Sequence, residues 1–257
     1  MTDQPSDWGS IEGQEPEESI IDHRIVPAPF VAKGDVAFKG ETEVELANVD
    51  PEATIYFRLN NAAFKTYNAP IRITEATTLD VYAERDQSQS ATITTRFYKI
   101  DPNRSITLDT EYANQYNGGG NNALIDGIYG TQDFRTGTWQ GYYDTDLIAT
   151  VDLGKVKWIE RLKVSFLRDQ RSWIFFPRDM EVHISNDGVN FSKIEERKFS
   201  SPTDTEEVKI ENITFSDLGN ARYIKIVAHK YGALPEWHLG HQHDGRSWLF
   251  VDEISIN

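Results

Sequence analysis

The chain has 257 residues, 39% hydrophobic and 12% aromatic, enough for one large or two ordinary cores. Its 26 Lys and Arg face 41 Asp and Glu, a net charge of −15, which disfavours nucleic acid as a partner because neutralising phosphates takes surplus cations. Cysteine is absent, which excludes disulfides and thiolate chemistry, and no run of about 18 apolar residues offers a membrane span.

Residues 1–24 open the chain as an acidic linker or tail. Seven acids (Asp3, Asp7, Glu12, Glu15, Glu17, Glu18, Asp22) fall among the first 22 residues with no Lys or Arg. Such a stretch cannot bury enough apolar area to offset its ordering entropy. No basic segment followed by an apolar run stands at the N-terminus, so no signal peptide is read there. Zero Cys beside six Trp suits a protein exported through an oxidising space, here as a mature form or an excised piece.

From Ile25 the pattern changes to short runs of period two. Glu43–Leu46, Thr54–Leu59, Ile71–Ile73, Thr78–Ala83 and Ala91–Tyr98 alternate, divided by turn residues such as Asn60-Asn61. β-branched and aromatic runs at about ten-residue spacing predict a small antiparallel sandwich over residues 25–102. Asp101-Pro102-Asn103 reads as the hinge, because the residue before proline is pushed to extended geometry.

Residues 103–257 form the second unit. Its expected strands are Leu147–Leu153, Ile159–Leu167, Met180–Ser185, Val208–Ile210, Arg222–Ala228 and Leu249–Ile256. Asn186-Asp187-Gly188 is a hairpin signal. The loops between are long and rich in Trp, His, Gly and Tyr, as loops that carry binding residues are. The fold class is therefore all-β, two β-sandwich domains.

Four ordered motifs carry a resemblance: Ala123-Leu124-Ile125-Asp126-Gly127, Ala149–Gly154, Val182–Gly188 and Trp248–Ile254. Together they resemble the discoidin or coagulation-factor C-type domain, the galactose-binding-like jelly roll of family 32 carbohydrate-binding modules. The first unit is similar to the small immunoglobulin- or fibronectin-like sandwich that follows the catalytic domain in chitobiases and β-hexosaminidases. Leu234–His238 with Trp248–Glu253 is similar to tails of exported glycoside hydrolases of gut Bacteroidetes. The resemblance implies a non-catalytic C-terminal portion of such an enzyme, linked to a catalytic domain and located in the periplasm, at the outer-membrane surface or outside the cell. A hydrolytic barrel of about 250 residues has no room in this chain.

The resemblance also implies a structural calcium. Asp126 would wrap it from the Asp-Gly turn, Glu253 would close it from the last strand, and Ala123 and Ile128 would supply carbonyls. Thr131 sits at the family's spacing for a hydroxyl ligand, with Thr136 or Thr138 as replacements. The alternative is that Asp126 only holds its turn. Among the aromatics, Trp158 and Trp248 flank strands and are expected in the core. Trp139, Trp173 and Trp237 fall in loops, where an indole suits the apolar face of a pyranose or packs loop on loop. Arg168 matches the Arg of sugar-binding relatives, whose following Asn is absent here, and Arg171 offers a second planar donor. His238, His241, His243 and Asp244 could bind zinc or nickel, but His238 reads better as a loop-packing or sugar-contacting residue. The acids Asp144, Asp146, Asp169, Asp179, Glu236 and Asp244 could hide a glycosidase pair. No catalytic fingerprint accompanies them. The expected function is weak binding of an N-acetylhexosamine- or galactose-containing glycan by Trp139, Arg168, Arg171, Trp173, Trp237 and His238. The competing expectation is a spacer or docking module that binds no sugar.

Overall fold

A computed structural model describes residues 25–257. The acidic segment read over 1–24 lies outside them. The described residues form β-strands and five short 3-10 turns, with no α-helix, as an all-β chain should. None of the described helices is long and apolar enough to cross a membrane.

Nine strands precede residue 100. They are β1 (Phe30–Lys33), β2 (Ala37–Phe38), β3 (Thr42–Ala47), β4 (Thr54–Leu59), β5 (Lys65–Thr66), β6 (Ile71–Ile73), β7 (Thr77–Arg85), β8 (Ser88–Gln89) and β9 (Ile93–Lys99). One sheet runs β1-β3-β6 and a second runs β2-β9-β7-β4-β5, with β8 on β7. Val44 and Leu46 turn inward from β3 while Glu43 and Glu45 face out, the alternation read from the sequence. They meet Phe38, Ile71, Ile73, Leu79, Val81 and Phe97 in one buried cluster. Each such side chain contributes about 1.5–3 kcal/mol relative to exposure.

Seven strands follow: β10 (Ser105–Leu108), β11 (Gln140–Tyr143), β12 (Leu147–Arg168), β13 (Asp179–Ser185), β14 (Ser192–Lys198), β15 (Lys209–His229) and β16 (Trp248–Ile256). Their order is β11-β16-β12-β15-β13-β14, with β10 on β12. Two pairs of expected strands are each one long strand. β12 and β15 pair up to Asp152, resume at Lys157 after a register shift, and shift again between Ile159 and Arg161. The first part of β12 pairs with β10 and the second with β16. Both parts send residues into one core, Val151 and Leu153 from the first, Leu162, Val164 and Phe166 from the second. The ribbon thus serves both layers of the sandwich.

Trp158 corrects an expectation. It lies where the ribbon bends and is 54% exposed instead of sitting in the core. Trp248 is half-buried against Tyr116, Tyr143 and Phe250.

The two clusters share no residue. Across the Asp101–Asn103 turn the sheets still touch. Tyr98 of β9 lies against Gly127, where an added Cβ would sit 3.2 Å from its ring. Lys39 Nζ donates to the Arg104 carbonyl, and Arg104 Nη2 donates to the Ile256 carbonyl at 2.9 Å.

Candidate functional site

The loops after β12 and β15 meet around a cleft of about 560 Å³ lined by Gln170, Arg171, Trp173, Trp237, His238 and the 204–206 loop, among others. A tight turn after β12 builds one wall. Asp169 N and Ile174 N exchange bonds with the opposite carbonyls at 3.0 Å, and Ser172 Oγ donates to Asp169 Oδ2 at 2.8 Å. Trp173 closes the turn with φ +63°, a left-handed conformation costly for a bulky side chain and found where a site over-determines it. Its ring stacks on His243 at 6.0 Å and 24°.

Gln170 holds the facing loop. Its side-chain amide donates to the Thr203 carbonyl and accepts from Thr205 N, both at 3.0 Å. His238 supports the same wall. Gly240 N donates to its Nδ1 at 3.0 Å, so its proton sits on Nε2, which donates to the Gln170 carbonyl at 2.7 Å. Both ring nitrogens are committed and the residue is 8% exposed. His238 therefore buttresses the cleft and has no nitrogen to offer a sugar or a metal. Trp237, 40% exposed, presents its indole beside Phe175 and His238.

Two other expected contacts lie elsewhere. Trp139 is 1% exposed, packed with Phe134, Leu167, Ile174 and Phe250, and its Nε1 donates to the Thr131 carbonyl at 2.9 Å. A buried indole has no face for a ring, so the loop-packing alternative holds for it. Arg168 lies outside the cleft, its guanidinium over Phe176 and 2.8 Å from Glu207. Arg171 is at the cleft, largely exposed and 3.7 Å from Glu206.

The Asp-Gly turn and the last strand form a second constellation. Asp126 Oδ1 accepts from Ile128 N at 2.7 Å, and Glu253 Oε2 accepts from Gly127 N at 3.0 Å. Asp252, which the sequence reading passed over, accepts from Gly130 N at 2.6 Å through Oδ2. Its Oδ1 is buried with no partner. Neighbouring strand residues ordinarily face opposite sides. Here Val164 pairs with Ile254 while Phe166 pairs with Val251, so two residues of β16 oppose Ser165 alone. This bulge leaves both Asp252 and Glu253 buried beside Asp126.

Burial pushes Asp126 up to about 6. Burial and the charge of Asp126 push Asp252 up to about 7. Burial and both neighbouring carboxylates push Glu253 up to about 8. An orphaned oxygen and three disfavoured charges fit a hard cation, which takes oxygen ligands. No three His, Cys, Asp or Glu side chains among the described residues converge into a metal-holding group, so such an ion would draw on backbone carbonyls as well. The Thr131 hydroxyl is exposed and bonded to Asp133, and Thr136 also bonds to Asp133.

Most of the remaining candidates are engaged in structure. Among the histidines, His241 Nδ1 donates to the Leu234 carbonyl at 2.6 Å, and Asp244 accepts from the Tyr143 hydroxyl. Asp144 pairs with Lys230, whose backbone N donates to Asp146 at 2.9 Å. Asp179 is held by Arg178 and His229, and Asp169 by Ser172.

The sequence profile of the F5/8 type C domain matches residues 105–242. No curated protein matches the chain. Among solved structures, CpGH89CBM32-5 from Clostridium perfringens, in complex with GalNAc-β-1,3-galactose, is 20% identical. The match covers 60% of this chain and 94% of that one, with a TM-score of 0.39. The family 32 module of C. perfringens NanJ, in complex with galactose, is 19% identical over 60% and 93% of the two chains, with a TM-score of 0.38. The C-terminal domain of a chitobiase from Bacteroides fragilis is 18% identical over 61% and 93%, with a TM-score of 0.37.

Proposed function

The chain belongs to the F5/8 type C domain family, a non-catalytic one, through residues 105–242, and on that premise we propose that it is the glycan-binding accessory region of an exported glycoside hydrolase. Residues 103–257 bind the glycan, residues 25–102 form the chitobiase-like sandwich before them, and a linked catalytic domain performs the hydrolysis. The observation that carries this reading is the cleft of about 560 Å³ in which Trp173 and Trp237 stand beside Arg171 and Gln170. Indoles cover a pyranose face at little entropic loss, and planar multi-donor groups read its hydroxyls. The ligand class is an N-acetylhexosamine- or galactose-containing glycan. A shallow site that swaps water for sugar hydroxyls gives weak affinity, roughly 0.1–1 mM, or about 4–5.5 kcal/mol.

Calcium is the proposed cation at the second constellation. Asp126 and Glu253 would hold it with the carbonyls of Ala123 and Ile128, and the buried Asp252 beside them, with its orphaned oxygen, would add negative charge that the ion offsets. The ion would neutralise charge that burial disfavours and tie the 123–130 turn to β16.

Titration of the full chain against a glycan panel tests the reading. Trp173→Ala and Trp237→Ala should each abolish detectable binding with an unchanged amide spectrum. A parent that binds none of the panel would give the spacer function its place, and Trp variants that bind like the parent would move the site elsewhere.

A further inference from the structure

Behind Gln170 a second cavity, of about 330 Å³, opens between the Phe175–Phe176 segment, the end of β14 and the start of β15. Its charge runs against the molecule's. The chain carries −15 overall, yet this cavity is lined by Arg168, Arg197, Lys198 and Lys209 against the single acid Glu211. Glu211 is taken up by Lys209 at 2.6 Å. Lys198 reaches only the exposed Glu196, at 3.5 Å. Arg197 makes no ion pair among the described residues. Arg168 is the innermost cation, 16% exposed, with its guanidinium on the Phe176 ring. Glu207 occupies its Nη2, while its Nε is buried with no acceptor. An unmet donor on a charged group is costly to keep, and an oxyanion is the group that satisfies it best.

Phe175, Phe176, Phe199 and Tyr231 supply the apolar part of the wall. Cations beside aromatic surface suit a ligand with one face of C–H groups and one anionic substituent, which is the make-up of an acidic sugar. The cavity adjoins the indole cleft, because its Phe175 packs against Trp237 and its Thr203, held by Gln170, runs on into the 204–206 segment of the cleft. We propose that it binds the oxyanion of an acidic sugar residue, carboxylate or sulfate, in a glycan whose neighbouring residue occupies the cleft. The proposal rests on the glycan-binding reading of that cleft and names the substrate class it takes. Acids on the cleft side, Asp204 and Glu206, restrict the anion to this cavity. Glu207 marks the position the oxyanion would contest.

The test is calorimetric titration of the full chain with three matched oligosaccharide sets: neutral, hexuronate-containing and sulfated. The acidic sets should bind about tenfold or more tightly than the neutral one, and the advantage should shrink as salt rises. Arg197→Ala, at an exposed strand position, and Lys209→Ala should each lose about tenfold on the acidic glycan and leave neutral binding unchanged. Arg168→Lys keeps the charge and deletes the orphaned N–H, so a loss on the acidic glycan at an unchanged melting temperature assigns that atom. A preference for hexuronates over sulfated glycans, or the reverse, distinguishes carboxylate from sulfate, and either supports the proposal. Equal affinity for neutral and acidic sets overturns it while the glycan reading stands. No binding in any arm overturns both.

Discussion

Replacing Asp252 by Asn tests whether the carboxylates beside β16 form a site that wants a cation. In chelator, three buried acids ionise above their ordinary range, so the folded state holds protons that the open chain has released. Stability is then full below the ordinary value near 4 and is lost as pH rises toward about 8. Asp252 alone, at about 7 against 3.8, represents about 4 kcal/mol. About 3 kcal/mol of that falls between pH 5 and pH 8, so at roughly 2–4 °C per kcal/mol for a chain of this size the chelated protein should melt roughly 6–12 °C lower at pH 8 than at pH 5. Carboxylates lowered by partners, such as Asp152 with Arg222 and Glu181 with His183 and Lys193, lose their contribution only as pH falls below about 4, outside this window. Calcium at pH 8 should restore the loss and do little at pH 5. Asp252→Asn should raise the chelated melting temperature at pH 8 and shrink the calcium response. Thermal unfolding by circular dichroism, with and without calcium, reads all of this. A chelated parent as stable at pH 8 as at pH 5, or an Asn variant weakened at pH 8, would refute the reasoning.

Other outcomes separate packing from binding. Trp139→Ala should cost about 3–5 kcal/mol and Trp158→Ala under about 0.5, read as denaturant midpoints. Gly130→Ala should destabilise by more than about 2 kcal/mol, because its Cβ would lie 2.4 Å from the Trp139 indole. Residues 104–257, expressed alone, should give a dispersed amide spectrum, since their core shares no residue with the cluster before the hinge. A collapsed spectrum would refute the division at 103.

Strands whose alternation is set by a one-sided core were legible. Thr54–Leu59 and Ile71–Ile73 were read to the residue, and Met180–Ser185 to within one. The edge and bridging strands β1, β2, β5, β8, β10, β11 and β14 were not, because two to four residues, or a strand of alternating charges, leave no hydrophobic period. Gly154-Lys155 looked like a break in pairing. The pairing does skip residues 153–156 there, but it resumes at Lys157 after a register shift, so both halves belong to one strand. Of the six loop residues expected to converge, Arg171, Trp173, Trp237 and His238 line the cleft, while Trp139 and Arg168 lie elsewhere. Exposure was not legible for Trp139 and Trp158, because it depends on which neighbours the fold brings to each indole. Asp252 was missed because strict alternation puts it on the face opposite Glu253. Only the bulge opposite Ser165 gathers the two, and a bulge leaves no mark in the residue types.

The position of β16 sets the order in which the sandwich can be assembled on the ribosome. It lies between β11 and β12 yet follows both by about 80 residues or more. While Gln140–Arg168 is already outside the exit tunnel, these two strands lack the strand that lies between them, and Tyr142, Phe166 and Leu167 lack their neighbours Leu249, Val251 and Phe250 on it. The layer closes only when Trp248–Ile256 emerges and zips into both neighbours at once. That long-range closure slows the folding of this unit relative to a fold of local contacts, and it leaves apolar surface open until β16 is delivered.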